Sequence, residues 1–444
     1  MIVSIQPSEI SGTIHAPASK SAMQRACAAA LIRNGITIIQ NPGNSNDDKA
    51  AIGILKSFGC EITASSNELV INSSTAIHHS PFTIHDSPST IHCGESGLGI
   101  RMFTPIAALS SNEIHIHGEG SLVSRPMSFF DEVLPLLKVK VKTNDGKLPF
   151  IIQGPLQPAN ITVDGSLSSQ FLTGILMSYA AANATDVSVN VKDLKSKPYI
   201  DLTLQVMKDF GLNVPVNDEY RTFHFNHHPV NHQQPTINYT VEGDWSGGAF
   251  LLVAAAIAGH ATVNGLMNAS KQADKKIIDA LIDAGAEVIV GDDNVEVKKG
   301  TLHPFEFDAT DCPDLFPPLV ALAANCKGVS SIRGLKRLKH KESDRGATLQ
   351  EEFAKLNTSI QLNGDEMLVY GNEQMLVKNQ VLNSHHDHRI AMACAVACLN
   401  ADLEVVIHNA DAVKKSYPDF WDHLKQLNAG LSLKPFTTDN TFRL

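Results

Sequence analysis

The chain has 444 residues, 43% of them apolar, with 29 Gly, 21 Pro and a net charge of −10, the composition of an ordinary globular protein of two to three domains. The acidic balance excludes the broad basic surface that DNA or RNA binding requires. The strictly apolar run Ala249 to Ala258, which no other exceeds in length, falls short of the roughly 20 residues that cross a bilayer and reads as a buried core helix.

No secretory leader is visible in "MIVSIQPSEISG", and the seven cysteines lack CxxC spacing; reduced thiols in a cytoplasmic protein are expected. From there one pattern recurs six times: an Ala-rich apolar helix, a short turn, then a β-branched strand. In chain order the copies are "RACAAALIRNGITIIQNP", "RMFTPIAALSSNEIHIHG", "FLTGILMSYAAANATDVSVNV", "AFLLVAAAIAGHATVNGL", "FPPLVALAANCKGVSSIRGL" and "RIAMACAVACLNADLEVVIHN". With Ile36, Ile114, Val187, Thr262, Val329 and Val405 as equivalent strand positions, the intervals are 78, 73, 75, 67 and 76 residues, which indicates an internally repeated fold. A second helix follows in each copy, as in "AIGILKSFGCEI" and "IIDALIDAGAEVIV", with apolar residues three and four apart. Sheets covered by helices give layered α/β (α+β) architecture. The polar stretch 226–238, "NHHPVNHQQPTIN", is the best linker and divides the six repeats into three per lobe.

The residues before each Ala-rich helix are "PASKSAMQR", "CGESGLGIR", "GSLSSQ", "EGDWSGG", "DCPD" and "HHDHR". Ser and Asp there suit helix caps. Cations do not, because they oppose the positive end of the helix dipole. Yet Lys20, Arg25, Arg101, Arg125, Lys197, Lys341, Arg345, Arg389 and Lys415 recur at the starts of the first and second helices. A bound anion removes the conflict, since backbone N–H groups and cations then share one negative partner. The expected ligand is small and carries several negative charges.

These motifs, in order along essentially the whole chain, resemble the 5-enolpyruvylshikimate-3-phosphate synthase family of enolpyruvyl transferases. The resemblance rests on "SGTIHAPASKSAMQRA", "CGESGLGIR", Arg125-Pro126, "DGSLSSQFLTGIL", "SKPYIDLTL", "VEGDWSGGAF", Asp314, "KESDR", "DHRIAMA" and "KKSYPDF". It implies a two-lobed inverse α/β barrel in which the chain crosses between lobes twice. Residues 1–18 plus 241–444 would form the C-terminal lobe and 19–240 the N-terminal lobe, with the active site in the cleft between them. The implied reaction adds the 5-hydroxyl of shikimate 3-phosphate to C2 of phosphoenolpyruvate, then expels phosphate from a tetrahedral intermediate. No cofactor and no metal are implied.

The resemblance assigns Lys20, Gly97, Arg125, Gln170, Arg345, Arg389 and Lys415 to phosphoenolpyruvate. It assigns Lys20, Ser21, Arg25, Ser168, Ser169, Gln170, Ser196, Tyr199, Asp314 and Lys341 to shikimate 3-phosphate. Asp314 would be the base for the 5-hydroxyl, Glu342 the proton donor to C3, and Lys20 a third catalytic group. Glyphosate is an expected inhibitor, and a monomer without nucleic-acid or membrane partners is expected. Two residues depart from the family pattern, Glu95 and Arg337, where relatives commonly carry Asn. The sister UDP-N-acetylglucosamine enolpyruvyl transferases usually work with a loop cysteine, and residues 102–165 contain none. A non-catalytic anion-binding relative would have no use for the acids Asp314 and Glu342. The stretch "SHHD" with His388 lacks the spaced partners of a strong metal motif.

Overall fold

The computed structural model describes residues 1–74, 89–227 and 236–435. It divides into two compact units, Ala18–Glu242 (the N-terminal unit) and Met1–Pro17 with Gly243–Leu444 (the C-terminal unit). Most of the stretch 226–238 lies outside the described residues. Its last part is strand, because Thr236–Thr240 pairs in parallel with Ile36–Gln40 inside the N-terminal unit.

The N-terminal unit contains helices α1 (Lys20–Arg33), α2 (Asn46–Ser57), α3 (Gly97–Ala107), α4 (Ser128–Val133), α5 (Ser169–Ala181) and α6 (Lys197–Asp209). The C-terminal unit contains α7 (Trp245–Ala258), α8 (Ile277–Asp283), α9 (Phe316–Ala324), α10 (Arg345–Lys355), α11 (His388–Ala397) and α12 (Phe420–Gln426). Odd-numbered helices are the Ala-rich ones. Those of each unit touch one another in pairs, forming a central three-helix bundle. Small side chains permit that approach. At Gly174 of α5, an added Cβ would stand 2.3 Å from the Arg101 carbonyl of α3, so the α3–α5 crossing requires glycine. The run Ala249–Ala258 lies within α7, every residue of which is buried. Among the described residues no helix is long and apolar enough to cross a membrane.

Among the described residues six four-stranded sheets wrap the two bundles, each with one order: an outer strand parallel to the central strand, then two antiparallel strands. The central strands are Ile36–Gln40, Glu113–His117, Val187–Lys192, Gly259–Asn264, Gly328–Arg333 and Val405–His408, and each contains one of the six equivalent positions. Alternation sets their faces. In "EIHIH", Ile114 and Ile116 are fully buried while Glu113 turns to solvent. The even-numbered helices bury one face; in α6 it holds Ile200, Leu202, Thr203, Val206 and Met207.

In the C-terminal unit two sheets are completed from far along the chain. Ile10–His15 supplies the parallel strand beside Gly259–Asn264. Ile2–Ile5 lies between Val405–His408 and Leu431–Lys434. The chain's first strands thus belong to the unit that holds its last ones.

Candidate active site

In the N-terminal unit, the starts of the bundle helices gather the expected cations. Ser19 caps α1, Ser96 caps α3 and Ser168 caps α5, their hydroxyls accepting from Ala22 N, Gly99 N and Gln170 N. Lys20 opens α1, and its ammonium donates to Asp47 Oδ2 at 2.8 Å, at the start of α2. Arg25, one turn on, is only 1% exposed. Its Nε donates to Thr203 Oγ1 at 2.9 Å, Nη1 to the Ser21 carbonyl at 2.8 Å and Nη2 to the Tyr199 carbonyl at 3.2 Å. Its guanidinium carbon also lies 5.9 Å from the Tyr199 ring centre. Burial lowers its pKa to about 10, so it stays charged at neutral pH. Three of its five N–H groups are used within the unit.

Around Gly97 the geometry is tight. A Cβ there would stand 2.7 Å from Arg125 Nη1, 3.0 Å from Arg101 Nη1 and 3.8 Å from Gln170 Oε1. Glycine therefore lets two guanidinium groups close over the start of α3, where N–H groups point outward. Arg101 donates to Gln170 Oε1 at 2.8 Å and lies 4.9 Å from the Phe171 ring centre. Arg125 donates to Ser121 Oγ at 3.1 Å. Ser169 and Ser196 are buried, Ser21, Ser168 and Tyr199 half-buried. Ser196 precedes α6 in the left-handed region, at φ 56°. The carboxyl of Glu95 packs against Gly120, where an added Cβ would come within 2.4 Å of it.

The C-terminal unit brings five expected residues into one ion cluster. Asp314, in the turn before α9, accepts from Lys341 Nζ at 3.1 Å, Arg345 Nη1 at 2.9 Å and Arg389 Nη2 at 3.2 Å. Glu342 accepts from Arg345 Nη2 at 2.6 Å. Burial alone would raise the Asp314 pKa, but Arg389, Lys341 and Arg345 outweigh it and hold the carboxyl well below the usual range. Burial lowers the Lys341 pKa against the pull of Asp314. Lys415 is buried at the end of a 3₁₀ turn, Ala410–Lys415, that packs on α11. Arg337 donates to the Thr310 carbonyl at 3.0 Å within the same unit.

Sequence reasoning passed over two acids behind these cations, Asp47 and Asp387. Both are buried, and Asp387 caps α11 while binding Arg345. An Asp at a helix start reads as a cap, so only its proximity to a cation marks it. Among the described residues, Glu351, Glu352 and His385 come close enough to share an ion. However, the Lys355 ammonium already sits 2.8 and 3.0 Å from the two Glu352 oxygens. His388 is buried beside Asp387. Cys93 is buried and its thiol pushed up to about 12 by that burial, which removes it as a nucleophile.

The family model described as EPSP synthase (3-phosphoshikimate 1-carboxyvinyltransferase) matches residues 5–424. The chain belongs to the EPSP synthase family. A 3-phosphoshikimate 1-carboxyvinyltransferase of Clostridium novyi is 35% identical over 96% of this chain and 97% of its own. One from Clostridioides difficile is 32% identical over 95% and 96%. Among solved structures, an EPSP synthase of Acinetobacter baumannii superposes with TM-score 0.77 at 23% identity, covering 97% of this chain and all of that one. The enolpyruvyl transferase NikO of Streptomyces tendae gives TM-score 0.74 at 16% identity, over 97% and 98%. These likenesses agree with the inverse α/β barrel that the family resemblance implied. Family and relatives together support enolpyruvyl transfer in the shikimate pathway as the reaction.

Proposed function

We propose that the two half-sites act on one pair of ligands, shikimate 3-phosphate and phosphoenolpyruvate. The observation that supports this best is the cluster on Asp314: three cations and a second acid, Glu342, around one carboxylate. Lys20, Arg125, Arg345, Arg389 and Lys415 hold the phosphate and carboxylate of phosphoenolpyruvate, with Gly97 and Gln170 beside it. Lys20 and Gln170 also reach shikimate 3-phosphate, which Ser21, Arg25, Ser168, Ser169, Ser196, Tyr199, Asp314 and Lys341 hold.

In the first step the 5-hydroxyl oxygen bonds to C2 of phosphoenolpyruvate. Its proton passes to Asp314, and Glu342 delivers a proton to C3. In the second, the bond from C2 to the phosphate oxygen breaks, C3 returns its proton and phosphate leaves. A carboxylate bound by three cations is a weak base. The arriving ligand anions engage those cations and neutralise part of their field, which raises Asp314's basicity when the hydroxyl is in place. Lys20, close to both ligands, stabilises charge that develops at the leaving phosphate.

The protein is proposed to act as a cytoplasmic monomer and to be inhibited by glyphosate competing with phosphoenolpyruvate at the Gly97 slot. The deciding experiment is phosphate release with both substrates and with each omitted in turn. Release that requires both supports the reading; release from phosphoenolpyruvate alone, or none, sinks it.

A further inference from the structure

We infer that Asp387 is a positioning residue for phosphoenolpyruvate capture: one buried carboxylate sets the pose of both Arg345 and Arg389. The inference rests on the proposed roles of those two arginines.

Asp387 is fully buried and both its oxygens are doubly engaged. Oδ2 accepts from Arg345 Nε at 2.8 Å and from Ser343 Oγ at 3.0 Å. Oδ1 accepts from Arg345 Nη2 at 3.2 Å and from the Arg389 backbone N–H at 3.0 Å. The bidentate grip fixes the guanidinium plane. With Nε and one edge of Nη2 committed to Asp387, the remaining edge faces Asp314 through Nη1 at 2.9 Å and Glu342 through Nη2 at 2.6 Å. The N–H groups assigned to the ligand therefore point where Asp387 lets them. The same carboxylate anchors the first turn of α11, from which Arg389 projects, and the "KESDR" loop through Ser343. Capping alone needs one oxygen. Asp244, the acid that caps α7, meets that need through Ser246 N at 2.9 Å.

The test separates the two roles. Asn caps helices as well as Asp does, but Asp387→Asn removes the charge and turns an amide donor toward a guanidinium. If capping is its whole task, Asp387→Asn keeps the wild-type KM for phosphoenolpyruvate. Positioning predicts that this KM rises about 10²-fold, the scale of a broken buried charge pair. The KM for shikimate 3-phosphate should move far less, and thermal unfolding should stay within a few degrees. An unchanged KM for phosphoenolpyruvate overturns the inference.

Should Asp387→Asn fail to fold, Ser343→Ala decides. It loosens the same carboxylate from the half-buried loop and should raise that KM several-fold, and no change again overturns the inference. Wild-type protein that turns over neither substrate fails the transferase reading. Wild-type turnover beside an unaltered Asp387→Asn fails this inference alone.

Discussion

Arg25 in the N-terminal unit and Arg345 in the C-terminal unit are both 1% exposed guanidinium groups near helix starts of one repeated fold. Their surroundings differ in kind. Arg25 rests on a hydroxyl, two carbonyls and an aromatic ring, and burial lowers its pKa to about 10. Arg345 is also penalised by burial, yet Asp387, Glu342 and Asp314 reverse the effect and raise its pKa above the ordinary value. Repetition of the fold copies the helix starts but leaves their electrostatics open. The Arg25 environment surrounds a positive charge with neutral oxygens and a ring. The Arg345 environment is neutralised within and stores acids beside its cations, an arrangement that the proposed proton transfers would use.

The largest effect should follow from removing those acids. Glu342→Gln and Asp314→Asn are each expected to lower turnover by ~10²–10⁴-fold, while calorimetric affinities for both ligands change only a few-fold. Near wild-type turnover in either variant would break the division between a gripping unit and a proton-handling unit. Lys20 with Asp47 brings the acid-backed arrangement into the N-terminal unit. Asp47→Asn should raise the KM for phosphoenolpyruvate about 10-fold, with Asp47→Glu recovering part of the loss. Steady-state assays that find both variants alike would remove Asp47 from the site.

Gly97→Ala should act by volume. Its methyl meets Arg125 Nη1 at 2.7 Å, so the arginines must shift. A several-fold rise in the KM for phosphoenolpyruvate and weaker glyphosate inhibition are expected. Inhibition curves that superpose on wild type would show the slot to be roomier than its geometry implies.

The smallest expected effect sharpens the comparison through pH. Asp48, buried beside Asp47, is pushed up to about 7 by burial and then by that neighbour, against the hydrogen bonds of Ser45 and the charge of Lys20. An acid raised on folding contributes stability that is present below its unfolded pKa of about 4 and is lost as pH rises toward 7. Asp314, lowered on folding, does the reverse: its contribution is present above about pH 4 and lost as pH falls. Thermal unfolding of Asp48→Asn should therefore vary less than wild type between pH 5 and 8. Its amide oxygen can still accept from Ser45, as Asp48 Oδ2 does at 3.1 Å from the backbone N–H. Parallel profiles would refute the assignment.

The six strands and their Ala-rich helices were legible because both follow from local periodicity, repeated often enough to exclude chance. The cations at helix starts were legible as a conflict with the dipole. That Arg25 would spend N–H groups on Thr203 and Tyr199 was not, because they lie 178 and 174 residues away. Asp47 and Asp387 were hidden in plain view: short acids at helix starts satisfy a local rule, and nothing local shows the ammonium or guanidinium that folding places against them. Periodicity also could not place "MIVSIQ", since a four-residue apolar strand can complete any sheet; its assignment to the C-terminal unit came from the resemblance alone.

That placement has a consequence for synthesis. Strand Ile2–Ile5, buried at all four positions, pairs with Val405–His408 and Leu431–Lys434. At roughly 5–20 residues per second, its last partner leaves the ribosome roughly 20–85 s after it does. The contacts of Ala18–Glu242 can form during that wait, while an apolar strand with both edges open trails ahead of them. The C-terminal unit, first to be started, is the last that can close, and the nascent chain must keep its leading strand from pairing elsewhere until then.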